Sequence, residues 1–91
     1  MINEQLQESI ETNSVSTIGN NVILFNDSVH TYAEVVNQIM KAIGCSEEDA
    51  FQIAYITDRN GSSVVYKGTI EKCIKVSSIL EEIGLKTQIE T

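Results

Sequence analysis

The chain is poor in the residues that do chemistry. Its 91 residues include one histidine, two cysteines and six Lys or Arg, with no proline and no tryptophan. A single His with Cys45 and Cys73, which form no Cys-x-x-Cys pair, falls short of a zinc ligand set unless carboxylates complete it. No Cys-His arrangement of recognised spacing is present, and Gly61 and Gly68 form no phosphate loop, so nucleophilic or phosphoryl-transfer catalysis has nothing to stand on. The chain reads as a non-enzyme that needs no cofactor and no metal. No apolar run approaches the ~20 residues of a bilayer crossing. The opening Met-Ile-Asn-Glu-Gln carries neither a basic nor an apolar signal region, so a cytoplasmic, reduced protein is expected.

Positive charge is scarce as well. Thirteen acids against six bases give a net charge of −7. Glu4, Glu8 and Glu11 lie in the first twenty residues, which have no Lys or Arg; the rest carries ten acids and six bases, or −4. Such a surface repels phosphate backbones and argues against nucleic acid as a partner, while favouring cationic ligands. The length allows one domain, expected to be a monomer.

What is present is organised around residues 22–32. The apolar run Val22-Ile23-Leu24-Phe25 reads as a buried strand, stopped by the polar turn Asn26-Asp27-Ser28. Ahead of it, residues 1–20 are too polar to stay folded alone and read as a flexible tail; residues 21–91 form the domain. Thr31 and Glu34 have capping-box form, and Tyr32, Val35, Val36, Ile39, Met40 and Ile43 repeat at helical spacing up to Gly44. Ser46 opens a second helix with acids in its first turn. Ala50, Ile53, Ala54 and Thr57 form one stripe of that helix and Phe51 with Tyr55 a second, which predicts a helix sandwiched between neighbours. Asn60-Gly61 ends it.

Residues 63–66 are β-rich. Thr69 caps a third helix with Ile70, Cys73, Val76, Leu80 and Ile83 on its apolar side, and Gly84 closes it. Residues 85–89 alternate as a last strand. Cys45 and Cys73 are assigned to different helices. The predicted fold is α+β: a two-layer α/β sandwich of order β-α-α-β-α-β, its three-stranded antiparallel sheet covered by helices on one face. Asn26, Asp27 and Asp58 are candidate polar groups at one end of the sheet. Tyr32, Val35, Ala54 and Thr57 are candidates for an apolar recess beside them, and His30 reads as a solvent-facing turn residue.

Leu24-Phe25-Asn26-Asp27-Ser28-Val29-His30-Thr31, Val35-Val36, Glu47-Glu48-Asp49-Ala50 and Asp58-Arg59-Asn60-Gly61 together resemble the ClpS adaptor family, over about residues 22–91. The resemblance implies the same fold with a flexible N-terminal extension, and a role in delivering N-degron substrates to a Clp AAA+ unfoldase of the ClpA or ClpC type. It implies binding of the α-amino group and first side chain of proteins that begin with Leu, Phe, Tyr or Trp. Asn26 and Asp27 match the family's amine-holding Asn-Asp, with Ser28, His30 and Thr31 in the same loop. Tyr32 stands where the family often has Met. Val35, Ala54, Thr57 and Leu85 fall at pocket-wall positions, and Glu71, with Lys75 one turn on, at the charged face that docks the unfoldase N-terminal domain. Two positions depart: Ser28 replaces a second Asp, and Asp58 replaces a His that contacts the amine. A carboxylate is a strong partner for an ammonium, so binding is expected to persist. The competing reading is an interaction domain that docks the ATPase without reading N-termini.

Overall fold

In the computed structural model, residues 19–91 are described; the stretch 1–18, most of the expected tail, lies outside them. The central strand β1 is Asn20–Phe25, and its burial alternates with period two. Val22 and Leu24 are fully buried with the helices, whereas Ile23 and Phe25 turn to the other face and are half-buried. The strand begins two residues before the apolar run, within the stretch assigned to the tail. Asn20 is buried there and its side-chain amide donates to the Gly68 carbonyl at 3.2 Å.

Strands β2 (Ser62–Gly68) and β3 (Lys86–Glu90) flank β1 in the order β2-β1-β3, both antiparallel to it. On the β3 side Val22 faces Ile89 and Leu24 faces Thr87. On the β2 side the register passes from Val22↔Tyr66 to Ile23↔Val64, leaving Val65 as the extra residue of a bulge. The bulge brings both Val65 and Tyr66 to the core.

Three helices cover that face. Helix α1 (Tyr32–Ile43) has the expected capping box: the Glu34 amide donates to Thr31 Oγ1 and the Thr31 amide to Glu34 Oε1. Helix α2 (Glu47–Asn60) is capped by Ser46, and α3 (Ile70–Glu81) by Thr69. Gly44 and Gly61 end the first two at φ 70° and 86°, a left-handed backbone that glycine adopts without a Cβ clash. Helix α3 lies across all three strands, and α1 packs on α2 and α3. Leu24, Ile39, Leu80, Val22 and Cys73 are the largest fully buried side chains.

Four expectations are corrected. Cys45 lies in the loop between α1 and α2, because Gly44 has already ended α1 and Ser46 caps α2. Phe51 and Tyr55 are not sandwiched; they are 48% and 43% exposed, and the first turn of α1 covers that side of α2 only in part, through the Tyr32 ring against Phe51. Helix α3 ends at Glu81, so Ile83 is outside it, and Ile70 and Ile83 are each more than a third exposed. The last strand starts at Lys86, with the buried Leu85 just before it.

Candidate functional site

The end of β1 is tied down by backbone as well as side chains. The Asn26 amide donates to the Gly61 carbonyl at 2.9 Å, joining the turn to the cap of α2. One turn back along α2, Asp58 accepts two bonds: from Asn26 Nδ2 at 3.1 Å and from the Tyr32 hydroxyl at 2.5 Å. One carboxylate therefore joins the end of β1, the start of α1 and the end of α2. This bond holds the Tyr32 hydroxyl above its ordinary pKa, since ionised oxygen would face the Asp58 charge without a proton to donate.

A second carboxylate organises the turn itself. Asp27 Oδ1 accepts from the backbone amides of Val29 and His30, both at 3.0 Å, as an Asx turn does. Asp27 Oδ2 lies 2.7 Å from His30 Nδ1, and His30 Nε2 lies 2.6 Å from the carbonyl oxygen of Ile83. Both ring partners are acceptors, so both bonds form only when both nitrogens carry protons. The ring is an imidazolium in this arrangement. Its pKa is accordingly raised, first by the Ile83 carbonyl and then by Asp27. The Asp27 carboxyl is lowered, chiefly by the His30 backbone amide. The His30 side chain is only 12% exposed. It is a bridge from the turn to the loop before β3, not the solvent-facing residue expected from sequence.

Between these two carboxylates opens a recess of about 430 Å³, continuous with solvent. Leu24, Val35, Ala54 and Leu85 supply its apolar walls; Asn26, Asp27, His30, Tyr32 and Asp58 supply its rim, and Thr57 and Phe25 complete the lining. The Thr57 hydroxyl is already engaged, donating to the Ile53 carbonyl at 2.8 Å and meeting Ser63 Oγ at 2.6 Å.

Nine of the eleven residues singled out for substrate binding line this recess. Ser28 and Thr31 do not: Ser28 is on the exposed turn, and Thr31 spends its hydroxyl on the α1 cap. Leu24 and Phe25 were missed, although their place at the end of the apolar run puts them next to Asn26. Glu71 and Lys75 are exposed on α3 and do not touch the recess. Among the described residues, no group of three or more His, Cys, Asp or Glu is placed to hold a metal ion, and no helix is long and apolar enough to cross a membrane.

The charges on the rim decide what it attracts. His30 and Asp27 pair with each other, whereas Asp58 makes no ion pair among the described residues and each of its oxygens accepts one hydrogen bond. A carboxylate has about four lone-pair sites, so each oxygen has room for another donor. The arrangement suits a cation with N–H donors attached to an apolar group.

Residues 19–88 match the family described as ATP-dependent Clp protease adaptor protein ClpS. The human E3 ubiquitin-protein ligase UBR2 is 36% identical over 58 residues, or 64% of this chain, and the Drosophila melanogaster ligase UBR1 is 36% identical over 59 residues, or 65% of it. The chain spans about 3% of the length of each of these ligases. Among solved structures, Agrobacterium tumefaciens ClpS2 bound to L-phenylalaninamide superposes with a TM-score of 0.73 at 19% identity, covering 78% of this chain and 93% of that one.

Proposed function

Because the chain belongs to the ClpS family of Clp protease adaptors, we propose that its recess binds the free α-amine and first side chain of polypeptides that begin with Leu, Phe, Tyr or Trp. The observation that carries this reading is a carboxylate, Asp58, that makes no ion pair among the described residues and stands on the rim of an apolar well. An α-ammonium, with a pKa near ~7.7–8.0, is mostly charged at neutral pH and brings three N–H donors to that rim. The side chain beside it enters the well between Leu24, Val35, Ala54 and Leu85. Burying an aromatic side chain removes ~150–250 Å² from water, a gain of roughly 4–6 kcal/mol before ordering costs. An ammonium buried without acceptors would erase that gain, which is why well and rim act together. The phenylalaninamide held by the Agrobacterium relative has this chemistry, a free amine next to a benzyl group.

Recognition is one half of the function and delivery is the other. The bound protein is handed to a Clp AAA+ unfoldase of the ClpA or ClpC type, whose N-terminal domain meets the exposed face of α3 at Glu71 and Lys75. The second reading, a domain that docks the ATPase and leaves N-termini unread, draws on the fact that both Asp58 oxygens already hold a donor. A peptide series differing only in the first residue separates the two. Binding of the Leu, Phe, Tyr and Trp members with no binding of the Asp, Ser and Lys members is expected, and no binding of any member, or equal binding of all, would support the second reading.

A further inference from the structure

Tyr32 belongs to the recess and also to a surface outside it. Its ring stacks on Phe51 with centroids 5.4 Å apart and planes tilted by 32°. One turn on, the Tyr55 ring carries the Arg59 guanidinium 5.8 Å from its centroid. Tyr32, Phe51 and Tyr55 are 39%, 48% and 43% exposed, so the recess opens onto an aromatic shelf along one side of α2. Soluble domains rarely leave large apolar groups contiguous unless something covers them. At its far end a shallow depression is lined by Ser46, Glu47, Glu48, Phe51 and Gln52.

We propose that this shelf is a second binding region for the same polypeptide, reading the residues that follow the first and preferring an aromatic or large apolar residue at the second or third position with Lys or Arg at the fourth or fifth. This rests on the reading of the recess as an N-terminus site. Its direction follows from continuity: Tyr32 and Asp58 line the recess, and Tyr32 also stacks on Phe51. Asp58, Phe51 and Glu47 lie along one side of α2, since their spacings of seven and four residues return to a helix face. From Asp58 to Glu47 the helix rises ~16 Å, which about five extended residues span. A chain whose amine meets Asp58 therefore crosses the aromatic rings first and reaches the acidic turn of Glu47, Glu48 and Asp49 after them. The charge selects the occupant: a chain of net charge −7 presenting three acids at the end of an aromatic track complements a basic segment and repels an acidic one.

The test is a fluorescence-anisotropy titration of Leu-initiated peptides of seven residues with the full chain. One series varies positions two and three between Ser and Phe, another positions four and five between Glu, Ser and Arg, each with an N-acetylated control. Phe over Ser and Arg over Glu should each tighten binding by about five-fold or more, the Arg gain shrinking at high salt. Phe51→Ser should abolish the Phe preference and Glu47→Gln with Glu48→Gln the Arg preference, while the loss of binding on N-acetylation persists. Both sets of side chains are exposed, and circular dichroism checks that the variants fold. Binding that needs the free amine but is indifferent to positions two to five would overturn the shelf and leave the recess reading standing. Loss of all free-amine binding would overturn both. A dimer that Phe51→Ser dissociates, seen by sedimentation, would assign the shelf to a second copy of the chain and overturn the proposal.

Discussion

Tyr32 donates its hydroxyl to Asp58 across 2.5 Å, joining residues 26 positions apart at the mouth of the recess. The bond occupies one site on the carboxylate that is assigned to the ligand's amine, and it fixes the ring that separates recess from shelf. Tyr32→Phe keeps the ring and releases one Asp58 oxygen. Affinity for a Phe-initiated peptide is expected to stay within about three-fold of the parent, since the bond lost was internal. Asp58→Ala removes the rim charge and should weaken the same peptide by roughly 10- to 150-fold, the range of one charged hydrogen bond. Calorimetric titration of both variants checks the contrast; equal losses would mean that Tyr32 contacts the ligand through its hydroxyl.

The pairing of His30 with Asp27 makes stability depend on pH from both sides. His30 titrates above its ordinary value of 6.5 in the fold, so its contribution is complete below about 6.5 and is lost as pH rises through the folded value. Asp27 titrates below its ordinary 3.8, so its contribution is complete above about 3.8 and is lost as pH falls through the folded value. The pair is fully stabilising between those two ordinary values. Urea melts followed by circular dichroism should show a decline on the alkaline side that is absent in His30→Gln. A decline of the same size in His30→Gln would assign the titration to another group.

Ala54 is 4% exposed and forms part of the recess wall. Ala54→Met places extra methylenes in that space, where crowding costs ~1–3 kcal/mol. Trp-initiated peptides should lose more affinity than Leu-initiated ones. Equal loss for every first residue, together with a lower melting temperature, would show that Ala54 matters only to folding.

The two thiols should differ in access. Cys73 has no exposed surface and its Sγ lies 3.5 Å from the Asn20 carbonyl oxygen, whereas Cys45 is partly exposed. A thiol-labelling reagent is expected to modify one equivalent under native conditions and a second only after unfolding. Rapid native labelling of both would mean that α3 opens readily from β1.

The elements were legible where local signals agreed with each other. Thr31 with Glu34, Ser46 and Thr69 mark helix starts by side chains that bond within three residues, and Gly44 and Gly61 mark the stops of α1 and α2. The well was legible for the same reason, since Val35, Ala54 and Thr57 sit on periodic stripes. His30 was not, because its deciding partner is the carbonyl of Ile83, 53 residues away. Gln38 belongs to the same class: it is buried by virtue of the Ile79 carbonyl, which its side-chain amide reaches at 2.5 Å across to α3. Phe51 and Tyr55 misled for the opposite reason. Their apolar character and spacing are those of a buried stripe, and only the placement of the neighbouring elements leaves them about half exposed.

The central claim is that Asp58 and its neighbours hold a free α-amine above an apolar well. The most direct test is one calorimetric comparison at neutral pH: a peptide beginning with Phe against the same peptide acetylated at its N-terminus. The account requires saturable binding of the free-amine peptide and a loss of at least about ten-fold on acetylation, which removes the charge and two of the three donors. Equal affinity for the two peptides, or no binding of either, would contradict it.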